Sequence, residues 1–104
     1  MAHATEETGP MIYYANVPRG RRASDKEFRF NYRKVGGSWR AYIVRMPSLG
    51  GRSDGLAATH RHIDNGHYYI CWDTPVSTLQ DMQNISRAWG DGILKYILTG
   101  ERFG

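Results

Sequence analysis

The sequence predicts an α+β fold, with a three- to four-stranded antiparallel sheet and one C-terminal amphipathic helix packed across one of its faces. Three observations carry this. Residues 28–35 alternate strictly, with Phe28, Phe30 and Tyr32 on one side and Arg29, Asn31 and Arg33 on the other, the period-2 pattern of a half-buried strand. Gly36-Gly37 follows and residues 38–46 return in extended character, as in a hairpin whose two turn residues take positive φ. Finally, Leu79, Met82, Ile85, Trp89, Ile93, Tyr96 and Ile97 recur at helical spacing and form one apolar stripe.

Residues 1–10 are small and acidic and lack a period, so they are expected to be a flexible tail ahead of a single domain at 11–104. Residues 11–17 are apolar enough for a short edge strand that Pro18 stops. Residues 18–25 contain Arg19-Gly20-Arg21-Arg22 and are expected to form a charged loop. In residues 38–46, Trp39, Ala41 and Ile43 oppose Arg40, Tyr42 and Val44, and Pro47 ends the strand. Residues 47–66, with Gly50, Gly51, Gly55 and Gly66, read as a long connection, of the length that is usually functional or mobile. Residues 67–72 make a third strand, with Tyr68, Ile70 and Trp72 opposite Tyr69 and Cys71. The helix is expected over about 77–99, started by Thr74-Pro75 or by a Ser77/Gln80 capping box and ended by Gly100. Gly90 and Gly92 flank the stripe, where they favour close approach of helix and sheet.

At 104 residues and 40% hydrophobic content the chain has enough material for one modest core. The single cysteine, Cys71, cannot form an internal disulfide. No stretch approaches the roughly 20 apolar residues of a membrane span, and the first ten residues lack the apolar core of a secretory signal. A cytoplasmic protein without membrane contact is therefore expected, as a monomer or weak dimer. The formal charge of +4 is unevenly placed. Residues 19–61 hold eleven basic against three acidic side chains, a local excess of +8. Arginine outnumbers lysine eleven to three, which suits bidentate phosphate contact and stacking on rings.

The arginines supply the leading candidate site. Arg29, Arg33 and Arg40, with Asn31 and Tyr42 between them, are expected on one face of the first hairpin, and Arg19, Arg21 and Arg22 on the loop before it. Such a face either tracks a nucleic-acid backbone or enters a groove as a strand ribbon, or it is simply the wet side of an antiparallel sheet. Leu94 and Leu98 lie off the main helical stripe and, with Phe103, make a candidate partner surface unless the fold covers them. His60, His62, His67 and Cys71 contain zinc-ligand chemistry, but without close cysteine pairs no metal is expected. Cys71 reads as an inert buried thiol rather than a nucleophile. Residues 50–55, Gly-Gly-Arg-Ser-Asp-Gly, lack the Gly-Lys-Ser/Thr ending of a phosphate loop and read as a turn. No paired carboxylates, Ser-His-Asp pattern or dinucleotide fingerprint appears, so neither catalytic residues nor a cofactor are expected.

Ser24-Asp25-Lys26-Glu27-Phe28, Trp39-Arg40-Ala41-Tyr42-Ile43, Ala58-Thr59-His60-Arg61, Tyr69-Ile70-Cys71-Trp72 and Tyr96-Ile97-Leu98-Thr99-Gly100 together resemble small proteins carried on conjugative transposons and related mobile elements of Firmicutes. The resemblance covers most of residues 12–103 and implies a cytoplasmic bacterial accessory protein near DNA-transfer genes. Its partners would be DNA or RNA, or another protein of the same element. In outline the chain is also similar to the three-stranded DNA-binding domains of some integrases and to AP2-type domains, from which the 20-residue connection at 47–66 departs. The function expected is a small basic nucleic-acid-binding or DNA-transfer accessory module. The alternative is a protein-interaction module without nucleic-acid contact.

Overall fold

The computed structural model describes residues 4–16 and 25–102. It contains strands β1 (Ala4–Tyr14), β2 (Glu27–Val35) and β3 (Ser38–Arg45), a one-turn helix α1 (Leu56–Thr59), strands β4 (Arg61–Asp64) and β5 (His67–Ile70), and the long helix α2 (Leu79–Thr99). The strands form one sheet in the order β1-β2-β3-β5-β4, with every pairing antiparallel. The α+β class and the C-terminal helix are as the sequence predicts. The sheet is wider, with five strands in place of three or four.

Two departures separate the sheet from expectation, a longer first strand and an added fifth one. The first strand begins at Ala4, inside the expected tail. Glu6 and Glu7 there sit opposite Lys34 and Arg33 of β2, within ion-pair distance of both. Antiparallel pairing with β2, with these ion pairs alongside, thus takes in a segment that has no apolar period of its own. Gly9, at φ 76°, lies in a register shift between Glu7 and Pro10, where a bulge requires that conformation. The second departure lies in residues 47–66, read as connection throughout. Asn65 and Gly66 have φ of 54° and 81°, and Asp64 pairs with His67 across them, so an Asn-Gly turn closes a second hairpin.

The first hairpin forms as expected, with Gly36 and Gly37 at φ 58° and 83°. Its alternation decides which side is buried. Phe28 and Phe30 are 0% exposed and meet the Trp89 ring edge-on, with centroids 5.9 and 6.1 Å away. Such pairs contribute about 0.5–1.5 kcal/mol beyond the area that they bury. Met82, Ile93, Leu94 and Tyr96 complete the helix contribution to the core. Ser86 is also fully buried: its hydroxyl donates to the Gln83 carbonyl, and so accepts the proton of Tyr32.

Leu94, expected on a partner surface, is 3% exposed and belongs to the core, and Leu98 packs against that core. Met46 and Pro47, just past β3, share a cleft with both leucines and fold under the C-terminal half of α2. The buried stripe is wider than helical periodicity alone shows. Phe103 lies outside the described residues, as do Val17 and Pro18.

The start of α2 also differs from expectation. Thr78 is its N-cap and accepts a hydrogen bond from the Asp81 backbone. Neither Thr74-Pro75 nor Ser77 starts the helix, because buried Val76 is tied to β3: its N–H donates to Ser38 Oγ and its carbonyl accepts from Trp39 N–H. The chain stays extended until that bond is past. Gly100 terminates α2 at φ 79°, as expected. No described helix is long and apolar enough to cross a membrane.

At the far side of the sheet, Tyr13 of β1 donates to Asp91 of α2 (2.8 Å), and the same carboxylate oxygen accepts from the Asn16 N–H (2.9 Å). Gly90 of the helix lies against the same tyrosine, where a Cβ would touch the Tyr13 ring at 3.4 Å, the near limit of ordinary van der Waals contact. Burial and the Asp91 carboxylate push the Tyr13 phenol up to about 12.

Replacing Trp89 with alanine is expected to cost about 3–5 kcal/mol, measured by urea denaturation; an unchanged midpoint would contradict its place in the core. The Tyr13 phenol titrates higher folded than unfolded, so its contribution is intact below about pH 10 and falls as pH rises toward 12. Thermal melts at pH 8 and pH 11 are expected to show a larger loss for the parent than for Tyr13→Phe.

Candidate functional site

Because Phe28, Phe30 and Tyr32 turn toward α2, Arg29, Asn31 and Arg33 must turn away from it. The register then assembles the outer face. Arg33 pairs with Arg40, Asn31 with Tyr42, and Arg29 with Arg45 across a bulge. The three expected arginines of the hairpin therefore share one surface, joined by Arg45. Arg19, Arg21 and Arg22 lie outside the described residues.

Across the sheet the same register produces a continuous row. Pro10 pairs with Asn31, Asn31 with Tyr42, Tyr42 with Tyr69, and Tyr69 with His62. The Tyr42 and Tyr69 ring centroids are 5.3 Å apart, and those of Tyr69 and His62 are 5.4 Å apart. Arginines lie over the rings: the Arg33 guanidinium carbon is 5.2 Å from the Tyr42 centroid and that of Arg40 is 4.6 Å from Tyr69. Each such contact contributes about 0.5–1 kcal/mol at an exposed site. Tyr42 is the floor of this array and only 6% exposed, whereas His62 stands open.

Carboxylates hold the arginines in place. Arg40 donates to the Tyr42 hydroxyl (3.0 Å) and to Asp64 (3.2 Å), and Tyr42 also donates to Asp64 (3.2 Å). Burial pulls the Arg40 pKa down, but the bond to Tyr42, with smaller contributions from Tyr69 and then Asp64, outweighs it and raises the pKa overall. Arg29 and Arg45 share Glu27, at 2.9 and 3.3 Å. Arg33 Nε lies 3.3 Å from Glu7, an ion-pair distance without hydrogen-bond alignment, and among the described residues it and Asn31 Oδ1 are the buried side-chain atoms lacking a hydrogen-bond partner. Asn31 does donate to Glu7 through its other amide atom, at 2.7 Å. The Arg33–Glu7 and Arg40–Asp64 pairs are open to solvent and contribute only about 0–1 kcal/mol each, so a competing anion can displace their carboxylates.

The remaining candidates take structural places. The 50–55 loop docks on the end of α2 instead of cradling an anion. Arg52 donates to the Ile97 carbonyl, and a Cβ at Gly100 would come within 2.9 Å of its guanidinium. His60 and Cys71 are backbone neighbours, with Cys71 N–H donating to the His60 carbonyl, and both line a cleft of about 520 Å³ between β5 and α2. Burial, and then the Asp73 charge, push the Cys71 thiol up, the reverse of what a nucleophilic thiolate needs. His62 stands on the outer face, away from that cleft. Among the described residues no three of His, Cys, Asp or Glu gather closely enough to hold a metal ion.

Sequence reasoning placed Arg29, Asn31, Arg33, Arg40 and Tyr42 together but missed Tyr69, His62 and the anchoring acids. The Asn65-Gly66 turn was the available signal, since it sets His62 opposite Tyr69. Comparison of the chain with protein-family models, curated proteins and solved structures gives no match.

Cys71 is expected to alkylate with iodoacetamide at pH 7.5 more slowly than free glutathione; a faster rate would contradict the raised thiol pKa.

Proposed function

We propose that this chain is a small nucleic-acid-binding module whose contact surface is the outer face of the sheet, an accessory role of the kind that the resemblance to mobile-element proteins implies. The observation that carries the reading is the Asn31–Tyr42–Tyr69–His62 row flanked by Arg29, Arg33, Arg40 and Arg45. Arginines suit phosphate oxygens in geometry and charge. Against them stand Glu7, Glu27 and Asp64, so binding exchanges weak internal pairs for phosphate pairs. Affinity is then modest and strongly dependent on salt.

A second reading, docking of a second copy of this chain, is favoured by the apolar cleft between β5 and α2, where Trp72 is 52% exposed beside Ile85 and Ala88. It replaces the surface expected at Leu94 and Leu98. Concentration-dependent sedimentation that Trp72→Glu abolishes would support it.

Fluorescence anisotropy with a labelled oligonucleotide tests the first reading. Three or four phosphate contacts predict a slope of log K against log salt of about −2 to −3. The double variant Arg29→Gln/Arg45→Gln is expected to flatten that slope by about 1.4 to 1.8. Absence of binding at low salt would overturn the reading.

A further inference from the structure

We infer that the outer face takes single-stranded rather than duplex nucleic acid, with the rings of Tyr69 and His62 as its stacking platform. This rests on the reading of the outer face as a nucleic-acid surface and narrows it to one class of ligand.

Width argues against the duplex. Neighbouring strands are spaced about 4.8 Å, so five strands span roughly 19 Å before side chains are counted. The major groove of B-DNA is about 12 Å wide and admits a helix or a two-stranded ribbon. Here no two-stranded ribbon projects: β2 and β3 are flanked by β1 on one side and by β5 and β4 on the other. The recognition geometry expected from three-stranded DNA-binding domains is closed off by the three flanking strands.

The composition of the row argues for the single strand. Unpaired bases offer π faces, which aromatic rings take up whatever the base, while arginines follow the phosphates. Tyr69 and His62 are adjacent at 5.4 Å, His62 exposed and Tyr69 half-buried, with the Arg40 guanidinium 4.6 Å over the Tyr69 ring, so the ring offers a base its other face and the guanidinium plane beside it. Tyr42, covered by Arg33 and bonded to Asp64, supports the platform from below. The charges facing it are Arg33 and Arg40 on the favourable side, and Asp64 on the unfavourable side. Asp64 is held by Arg40 and Tyr42, and it keeps the Tyr42 hydroxyl when Arg40 turns to a phosphate.

The test is anisotropy at low salt with a labelled 12-nucleotide oligo(dT) and a 12-base-pair duplex of random sequence. The single strand is expected to bind at least tenfold more tightly. Tyr69→Ala and His62→Ala are each expected to weaken single-strand binding by about tenfold to a hundredfold with the salt slope unchanged, while Tyr69→Phe retains affinity. His62 is exposed on the edge strand, so its variant reports on stacking even where Tyr69→Ala unfolds. Equal or tighter duplex binding, or indifference to both alanine variants, overturns the single-strand inference and leaves the nucleic-acid reading standing. Failure of both oligonucleotides to bind overturns both.

Discussion

The indole of Trp89 is the contact on which the other parts depend. One edge meets Phe28 and Phe30, which fixes the helix against the central strands. Its N–H donates to the Thr59 carbonyl at 3.0 Å, which fixes the corner between α1 and β4. A polar handle on a large apolar ring serves both ends at once. Around that corner Tyr96 donates to the Ser53 carbonyl, and buried Arg61 donates to Thr59 Oγ1 and the Asp54 carbonyl while lying 4.1 Å over the Tyr68 ring. Arg61 is thus a buried cation satisfied by neutral acceptors. These bonds convert a glycine-rich stretch into a fixed support for the second hairpin.

The outer face inherits its order from that support. Tyr42 and Tyr69 are the one register pair that joins the two hairpins, so the aromatic row exists only if β5 is held against β3. The core side and the ligand side of the sheet are therefore two consequences of one placement. The face is also nearly balanced in charge, with each arginine beside a carboxylate. Pairs that contribute little to stability still hold the guanidinium groups in position, and so lower the entropy lost when an anion takes the carboxylate's place.

The parts legible in the sequence are those whose signal is local. Residues 28–35 alternate, Gly36-Gly37 turn, and Gly100 ends a helix with a helical period. The elements that escaped reading depend on partners far along the chain. Glu6 and Glu7 join the sheet opposite Lys34 and Arg33 of β2. Leu94 is buried because residues 46–49 pass beneath it, which no helical wheel records. β4 has four residues, three of them polar or charged, and only its Asn-Gly turn announces a strand. For the site, alternation placed the arginines, whereas the pairing of Tyr42 with Tyr69 arises from tertiary structure.

The order of the elements has a consequence for synthesis. The hairpin of β2 and β3 is complete once residue 45 has been made, yet its apolar side faces α2, which ends at Thr99. At about 5–20 residues per second, a ribosome needs roughly 3–11 s to supply the difference. Until then Phe28, Phe30 and Trp39 lack the helix that covers them in the finished fold. Anything that slows elongation between residues 46 and 99 lengthens the time for which these side chains have no helix to pack against.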